Sequence, residues 1–196
     1  MLMELKDLIA QNRKIRAIGF DDAPFVRHQL GSVPIAGIIC ANTRFEGMVW
    51  GEIQPDGWDA TEVITKLLID GKFLPQLHLV LLDGIGFGGF NLVDLPALSS
   101  KLQLPCVAVM RRLPNLPKMK QALSRLSDRP QRLELLQKAG KIHVYPPFYF
   151  QVWGEQPEII AAALKRLTDC GKVPEALRLA HLIGAAVIKG ESSSQA

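Results

Sequence analysis

The first part of the chain alternates apolar runs with short polar links, in the pattern of consecutive β-strands. Three such runs occupy residues 15–20, 33–41 and 45–53. Only Asn42, Thr43 and Arg44 separate the second run from the third, a link short enough for a hairpin. The pattern therefore predicts a three-strand antiparallel meander.

After this meander the apolar positions take the period of amphipathic helices. Between residues 59 and 70, apolar side chains recur at positions 60, 63, 64, 67 and 68 and form one stripe on a predicted helix. Asp59 is placed to cap this helix, and Glu62 completes a capping-box spacing. Continuous apolar runs predict buried strands at 77–82 and 105–110, and one more short strand within 142–153. Residues 4–12 suit a short helix or an entry segment, and helices are predicted in part of 90–102 and at 115–126, 128–139, 155–170 and 174–189.

This order of elements predicts an α/β fold with a mixed sheet. Three antiparallel strands are followed by strand–helix–strand units, and helices cover both faces of the sheet. That is the element order of the RNase H-like fold. We expect residues 1–196 to form a single domain, with a disordered polar tail at 190–196.

Two aspartates stand at the ends of two predicted strands. Asp21 follows the run that begins at Ile15, and Asp83 follows the run that begins at Leu77. Carboxylates at strand ends lie at the rim of a sheet, where ligands usually bind. Two carboxylates that are close together cannot both stay ionised without a counter-ion, and a divalent metal is the simplest one. Metal-dependent chemistry is therefore the leading hypothesis.

Composition limits the cellular compartment and the class of partner, but it does not decide the function. The formal net charge of +4 and pI of about 9.1 fit an anionic partner such as nucleic acid, but this excess is common among other proteins. Three scattered cysteines argue against a disulfide framework and a structural zinc site, and favour a reduced, cytoplasmic setting. No apolar run reaches the length of a membrane span, so no membrane partner is expected.

The glycine-rich stretch from Gly84 to Gly89 matches the dinucleotide-binding pattern G-x-G-x-x-G. A dinucleotide-dependent enzyme is therefore an alternative hypothesis. It ranks second, because three meander strands precede the motif and because Asp83 would repel a pyrophosphate. A third interpretation is structural, with glycines that allow a tight turn and close packing.

Four further motifs carry a resemblance to a known family. They are Gly19-Phe-Asp-Asp-Ala-Pro-Phe25, Asp56-Gly-Trp-Asp-Ala-Thr61, Gly88-Gly-Phe-Asn-Leu-Val-Asp94 and Pro174-Glu-Ala-Leu-Arg-Leu-Ala-His181. With Asp83-Gly-Ile-Gly86, they cover nearly the whole chain and resemble the endonuclease dU family, a sister group of endonuclease V. The resemblance implies an RNase H-like, metal-dependent endonuclease that acts on nucleic acid with a deaminated base, uracil or hypoxanthine, in DNA repair.

The same resemblance implies three acidic ligands for Mg²⁺ or Mn²⁺. Asp21 and Asp83 match two of them, and the middle acid is either Asp59, by motif position, or Glu62, by its spacing to Asp83. Arg111 stands where endonuclease V has a lysine at the end of the next strand. The aromatic-proline wedge that endonuclease V uses at the lesion is absent, which leaves the base specificity open.

The remaining candidates are residues that would contact the substrate. Arg111 and Arg112 suit contacts to a phosphate, where Arg111 would neutralise developing charge, or a solvated strand end. Gly84 and Gly86 would line the pocket of an extruded base, with Asn91 in the following loop. The partner would be nucleic acid, DNA in preference to RNA. A non-catalytic nucleic-acid-binding module of the same fold is the other alternative.

Two more side chains have competing interpretations. His181 lies in a helix with an apolar face, which favours a position in the core or beside the ligands over a general base. Trp58 can stack on an exposed base, although plain packing is the preferred interpretation.

Overall fold

The computed structural model describes residues 3–26, 31–124 and 126–193. Within these ranges the chain forms nine strands and seven α-helices, with a 3-10 turn at Leu74–Gln76. The strands are β1 (Arg16–Asp22), β2 (Val33–Ala41), β3 (Arg44–Ile53), β4 (Leu79–Asp83), β5 (Gly86–Phe87), β6 (Asn91–Leu92), β7 (Cys106–Met110), β8 (His143–Tyr145) and β9 (Phe148–Trp153). The helices are α1 (Leu5–Ala10), α2 (Ala60–Ile69), α3 (Leu95–Leu102), α4 (Leu116–Leu123), α5 (Arg129–Lys138), α6 (Pro157–Leu167) and α7 (Glu175–Lys189).

Seven strands form one mixed sheet in the order β3-β2-β1-β4-β7-β9-β8. The predicted meander is confirmed, because β1, β2 and β3 pair antiparallel. β4 then pairs parallel with β1, and β7 pairs parallel with β4. Helices α2 and α3 make the connections between these parallel strands. The carboxyl ends of β1, β4 and β7 therefore meet at one edge of the sheet.

Each face of the sheet is buried under helices. Val80 and Leu82 pack in the core cluster that includes residues of α2 and α3. Leu79 and Leu81 pack in the opposite cluster, with residues of α1, α6 and α7. Successive side chains of a strand point to opposite faces. This is why β4 reads as an unbroken apolar run in the sequence.

Two strand predictions need correction. β1 extends through Asp21 to Asp22, beyond the predicted end at residue 20, because Asp22 still pairs with Ile35 of β2. The segment 142–153 contains two strands where one was predicted, because the chain turns back at Pro146 and Pro147.

The ends of two elements also bear on earlier predictions. Asp59 precedes α2 as expected, but its side chain makes no capping hydrogen bond. α7 ends at Gly190, whose φ of +83° suits glycine. Of the predicted tail, residues 194–196 lie outside the described residues. In the part of the chain that the structure describes, no helix combines the length and apolar character needed to cross a bilayer.

Candidate metal centre

Asp21 and Asp83 lie side by side at the edge where the parallel strands end. Phe20 of β1 is in register with Leu82 of β4, so the next residue of each strand carries the carboxylate. Ligand atoms of Asp21, Asp83 and His181 all lie within 4.8 Å of one another. The predicted convergence of the two aspartates is therefore present in the structure, and a histidine joins them.

Helix α7 brings His181 to the sheet because small residues allow a close approach. A Cβ at Gly19 of β1 would lie 2.8 Å from the backbone of α7 at Ala176. One turn beyond His181, a Cβ at Gly184 would lie 3.3 Å from the Cα of Ala23. At this separation the Nδ1 atom of His181 lies 2.9 Å from the Oδ2 atom of Asp21.

The sequence predicts that His181 lies in the core or beside the metal ligands. The structure places it in direct contact with Asp21, and its side chain is 28% exposed. The signal that would have found it is its helical spacing, since Leu177, Ala180, His181 and Gly184 recur at the intervals of one helix face. That face packs on β1, so its histidine reaches the end of the same strand.

Burial and like charges act together on Asp21. Its side chain is only 6% exposed. Burial, followed by the charges of Asp83 and Asp22, raises the pKa of Asp21 to about 9, while Arg111 acts in the opposite direction. Burial also raises the pKa of Asp22, against the hydrogen bond that its carboxylate accepts from the backbone N–H of Gly88. The positive charge of the surrounding side chains therefore does not fully compensate the negative charge of the ionised carboxylates of Asp21, Asp22 and Asp83.

This shift predicts a pH-dependent gain in stability for Asp21→Asn in the metal-free protein. Below about pH 4 the aspartate is protonated in both states and makes no difference. Between that pH and about 9, the Asp21 carboxyl is ionised in the unfolded state but still protonated in the folded state, since its folded pKa is about 9. The free energy of unfolding of the wild type therefore falls as pH rises. In the presence of a chelator, the melting temperature of Asp21→Asn should exceed that of the wild type at pH 8 and match it near pH 4.

The asparagine keeps the size of the side chain and its hydrogen bond to His181, so charge is the main change. Exposed Asp70, at the end of α2, provides the matched control as Asp70→Asn. Equal melting temperatures of the wild type and Asp21→Asn across this pH range would contradict the prediction.

Arg111 supplies the positive charge closest to the aspartates. Its Nη2 atom lies 2.9 Å from the Oδ2 atom of Asp83. The two side chains border an open cleft of about 460 Å³, lined by Asp21, Asp22, Ala23, Pro24, Phe25, Asp83, Arg111 and His181. Arg112, the next residue, is exposed and makes no ion pair with any described side chain. A phosphate that entered the cleft would meet the guanidinium of Arg111 beside the two carboxylates.

The donor set fits a divalent cation of the Mg²⁺ or Mn²⁺ type. Carboxylate oxygens suit both ions, and an imidazole nitrogen is a common ligand of transition metals. Arg111 already shows that Asp83 attracts a cation. Asp21, Asp83 and His181 are thus the residues that would hold the metal.

The structure places Asp59 and Glu62 apart from this group. The carboxylate of Asp59 accepts hydrogen bonds from the backbone N–H of Gln54, at 3.1 Å, and from the side-chain amide of Asn91, at 2.6 Å. Glu62 is exposed on α2. Among the described residues, the cluster with ligand atoms within reach of one ion comprises Asp21, Asp83 and His181. Metal binding by Asp59 or Glu62 stays a prediction.

The glycine-rich loop does not lead into a helix. Gly86 belongs to β5, which pairs with β6 in a small ribbon, and α3 begins only at Leu95. A dinucleotide fold needs a helix N-terminus directly at the glycines. Gly84 has a φ of +80°, so glycine is required to turn the chain away from β4. The loop directly follows Asp83, and its structure does not favour the dinucleotide hypothesis.

Asn91 organises this loop from within. It is fully buried, its Oδ1 atom accepts from the backbone N–H of Ala60, and its Nδ2 atom donates to the carbonyl of Gln54 and to Asp59. These contacts join the loop after β3, the start of α2 and the ribbon. Direct substrate contact by Asn91, Gly84 or Gly86 stays a prediction.

Comparison with known proteins links this geometry to a family. The family model described as Endonuclease dU matches residues 13–188. A UPF0215 protein of Deinococcus radiodurans is 38% identical over 189 residues, covering 95% of each chain. A crystal structure of a protein of unknown function from Archaeoglobus fulgidus has a TM-score of 0.85 at 32% identity, and the match covers 90% of this chain and 100% of that one.

A more distant similarity concerns the fold alone. Endonuclease V of Ciona intestinalis, solved in complex with a 24-mer DNA that contains an inosine followed by a ribo-adenosine, has a TM-score of 0.59. The two chains are 14% identical, and the match covers 95% of each. This similarity, together with the sheet order, confirms the RNase H-like fold.

Proposed function

The chain belongs to the endonuclease dU family, and we propose that it is a metal-dependent endonuclease that cleaves nucleic acid at or near deaminated bases. The observation that carries this proposal is the convergence of Asp21, Asp83 and His181 within 4.8 Å at the carboxyl ends of two parallel strands. Uracil and hypoxanthine are the proposed bases, with DNA as the substrate in preference to RNA. Hypoxanthine is the base of the inosine in the DNA bound by the Ciona protein.

The metal and the arginine have separate roles in this proposal. When bound, Mg²⁺ or Mn²⁺ supplies Lewis-acid chemistry, which withdraws charge from a scissile phosphate. Asp21, Asp83 and His181 would hold the ion, and Asp21 is buried. Arg111 donates hydrogen bonds to a phosphate oxygen and stabilises the negative charge that develops during cleavage. Arg112 binds a neighbouring phosphate.

The glycine-rich loop is the proposed wall against which the altered base lies. Gly84 has no side chain, and a Cβ there would meet no atom within 4 Å, so the surface beside Asp83 is open. Backbone amides in such a loop can approach a base edge closely. Asn91 is fully buried, so we propose that it acts by holding the loop in place rather than by touching the base.

The third ligand can be assigned by comparing metal affinities. We propose that His181 has this role, with Asp59 and Glu62 as the alternatives. Titration with Mn²⁺ should give an affinity at least tenfold lower for His181→Ala than for the wild type, and an unchanged affinity for Asp59→Asn and Glu62→Gln. The reverse result would assign the position to one of the acids.

The test of function is cleavage of a substrate panel. Labelled oligonucleotides of DNA and RNA that carry one uracil or hypoxanthine, or neither, are incubated with Mg²⁺, Mn²⁺ or a chelator. We expect cleavage of a base-altered substrate only with metal. Binding without cleavage under every condition would identify the non-catalytic module instead, and a rise in melting temperature with a nicotinamide dinucleotide would favour the dinucleotide alternative.

A further inference from the structure

Positive charge is concentrated in one segment of the chain that starts at the metal centre. Residues 111–141, here called the basic segment, hold nine of the 23 basic and two of the 19 acidic residues. The basic segment therefore carries a formal charge of +7, whereas the rest of the chain carries −3. Such a separation of charge indicates a surface for an anionic partner.

The basic segment contacts two different parts of the molecule, at Arg111 and in α5. At its start, Arg111 contacts Asp83. In α5, Arg132 and Asp128 contact Trp58, which lies in the loop between β3 and α2. The basic segment thus connects the metal centre to an aromatic side chain on another loop.

Trp58 is held rigidly although it is exposed. The guanidinium carbon of Arg132 lies 4.5 Å from the centre of the indole ring, and the Nε1–H group donates to Asp128 at 2.9 Å. These contacts cover one face and one edge of the ring, yet 48% of the residue remains exposed. An aromatic face that is open and already oriented can stack on a base at little entropic cost.

Basic side chains between Arg111 and Arg132 can bind phosphates. Arg112, Lys118 and Arg129 are exposed, and none of them forms an ion pair with another described side chain. Arg132 and Lys138 differ, because they pair with Asp128 and Asp94. The basic segment therefore combines unpaired cations with contacts to an exposed indole ring, the two elements of a site for single strands.

We propose that the basic segment and Trp58 bind an unpaired nucleic-acid strand that extends from the metal centre and stacks a base on the open face of Trp58. This deepens the proposed endonuclease function and rests on it. The partner is a single strand because the face of a base is free for stacking only when that base has left the duplex. DNA and RNA share this chemistry and are separated by the experiment.

Binding is measured by fluorescence anisotropy with labelled, undamaged 16-mers of deoxythymidine and of uridine, in a chelator so that no cleavage occurs. Trp58→Ala should weaken binding about tenfold without changing the salt dependence, because stacking releases no counterions. Trp58→Phe should retain most of the affinity, and the fluorescence of Trp58, described below, serves as the test if Trp58→Ala fails to fold. The double variant Arg112→Glu and Lys118→Glu should weaken binding and reduce the slope of log K against log salt by about 1.4.

A matched control for charge comes from the opposite edge of the sheet. Lys14 is exposed just ahead of β1 and lies outside the basic segment. Lys14→Glu should leave affinity and salt slope unchanged.

A direct readout of stacking is the fluorescence of Trp58 itself. The chain has three tryptophans, so Trp50→Phe with Trp153→Phe leaves Trp58 alone. The fluorescence emission of Trp58 should be quenched when the single-stranded oligonucleotide is at a saturating concentration. Unquenched emission, unchanged affinity of Trp58→Ala, or equal binding of a duplex would each overturn the inference. If base-altered substrates are cleaved but Trp58→Ala binds the strands as tightly as the wild type, this inference is overturned and the proposed function is left intact.

Discussion

Replacement of Asp83 by asparagine is expected to lower metal-dependent cleavage by about a thousandfold, because a ligand carboxylate contributes several kcal/mol of transition-state stabilisation through its ion. The substitution changes charge more than shape. Asparagine keeps an oxygen that can accept the hydrogen bond from Arg111, which lies 2.9 Å from the carboxylate. Single-turnover cleavage of the best substrate of the panel, at saturating Mg²⁺, is the measurement.

Two features separate this prediction from general damage to the fold. Asp83 is near the surface, with a side chain 17% exposed, so the melting temperature of Asp83→Asn should not fall. Asp70→Asn removes one exposed negative charge outside the cleft and should leave the rate within twofold of the wild type. Equal cleavage by the wild type and Asp83→Asn would remove Asp83 from the mechanism.

Replacement of Arg132 by methionine should destabilise the protein by about 3 kcal/mol, since one buried guanidinium satisfies several backbone carbonyls. Arg132 donates to the carbonyls of Asp56, Gly57 and Phe90 and pairs with Asp128. Its side chain is only 3% exposed, so water cannot replace these bonds. For a chain of this size the melting temperature should fall by about 10 °C.

Arg129 provides the matched comparison for this loss. It is exposed on the first turn of the same helix, and Arg129→Met should change the melting temperature by less than about 2 °C. Arg132→Lys should recover only part of the loss, because one ammonium cannot replace the planar fork of donors. A melting temperature of Arg132→Met equal to that of Arg129→Met would contradict the proposed role of the arginine.

The sequence predicted the meander and the parallel strands because their apolar periods are strong. Every residue of β4 before Asp83 is apolar, as expected for a strand covered on both faces. The hairpin at 142–153 was missed because Pro146 and Pro147 interrupt a stretch that is too short to show a period. The ribbon of β5 and β6 has two residues in each strand, and such short pairs leave no pattern in a sequence.

The site was predicted less completely than the fold. Asp21 and Asp83 could be paired because adjacent parallel strands end at one edge of a sheet, which a strand pattern reveals. The contact of His181 depends on how closely α7 approaches β1, and that distance is set by Gly19 and Gly184 in different parts of the chain. The pattern of residue types along the sequence does not show which helix packs on which strand. Arg132 was missed for the same reason, because its backbone partners come from two distant loops.

The proposed endonuclease activity depends on a cation shared by Asp21, Asp83 and His181. Anomalous scattering from crystals grown with Mn²⁺ tests this directly. We expect a manganese peak bonded to both carboxylates and to His181, and no such peak in crystals of Asp83→Asn. Wild-type crystals with manganese elsewhere, or with no manganese between Asp21 and Asp83, would contradict the proposed function.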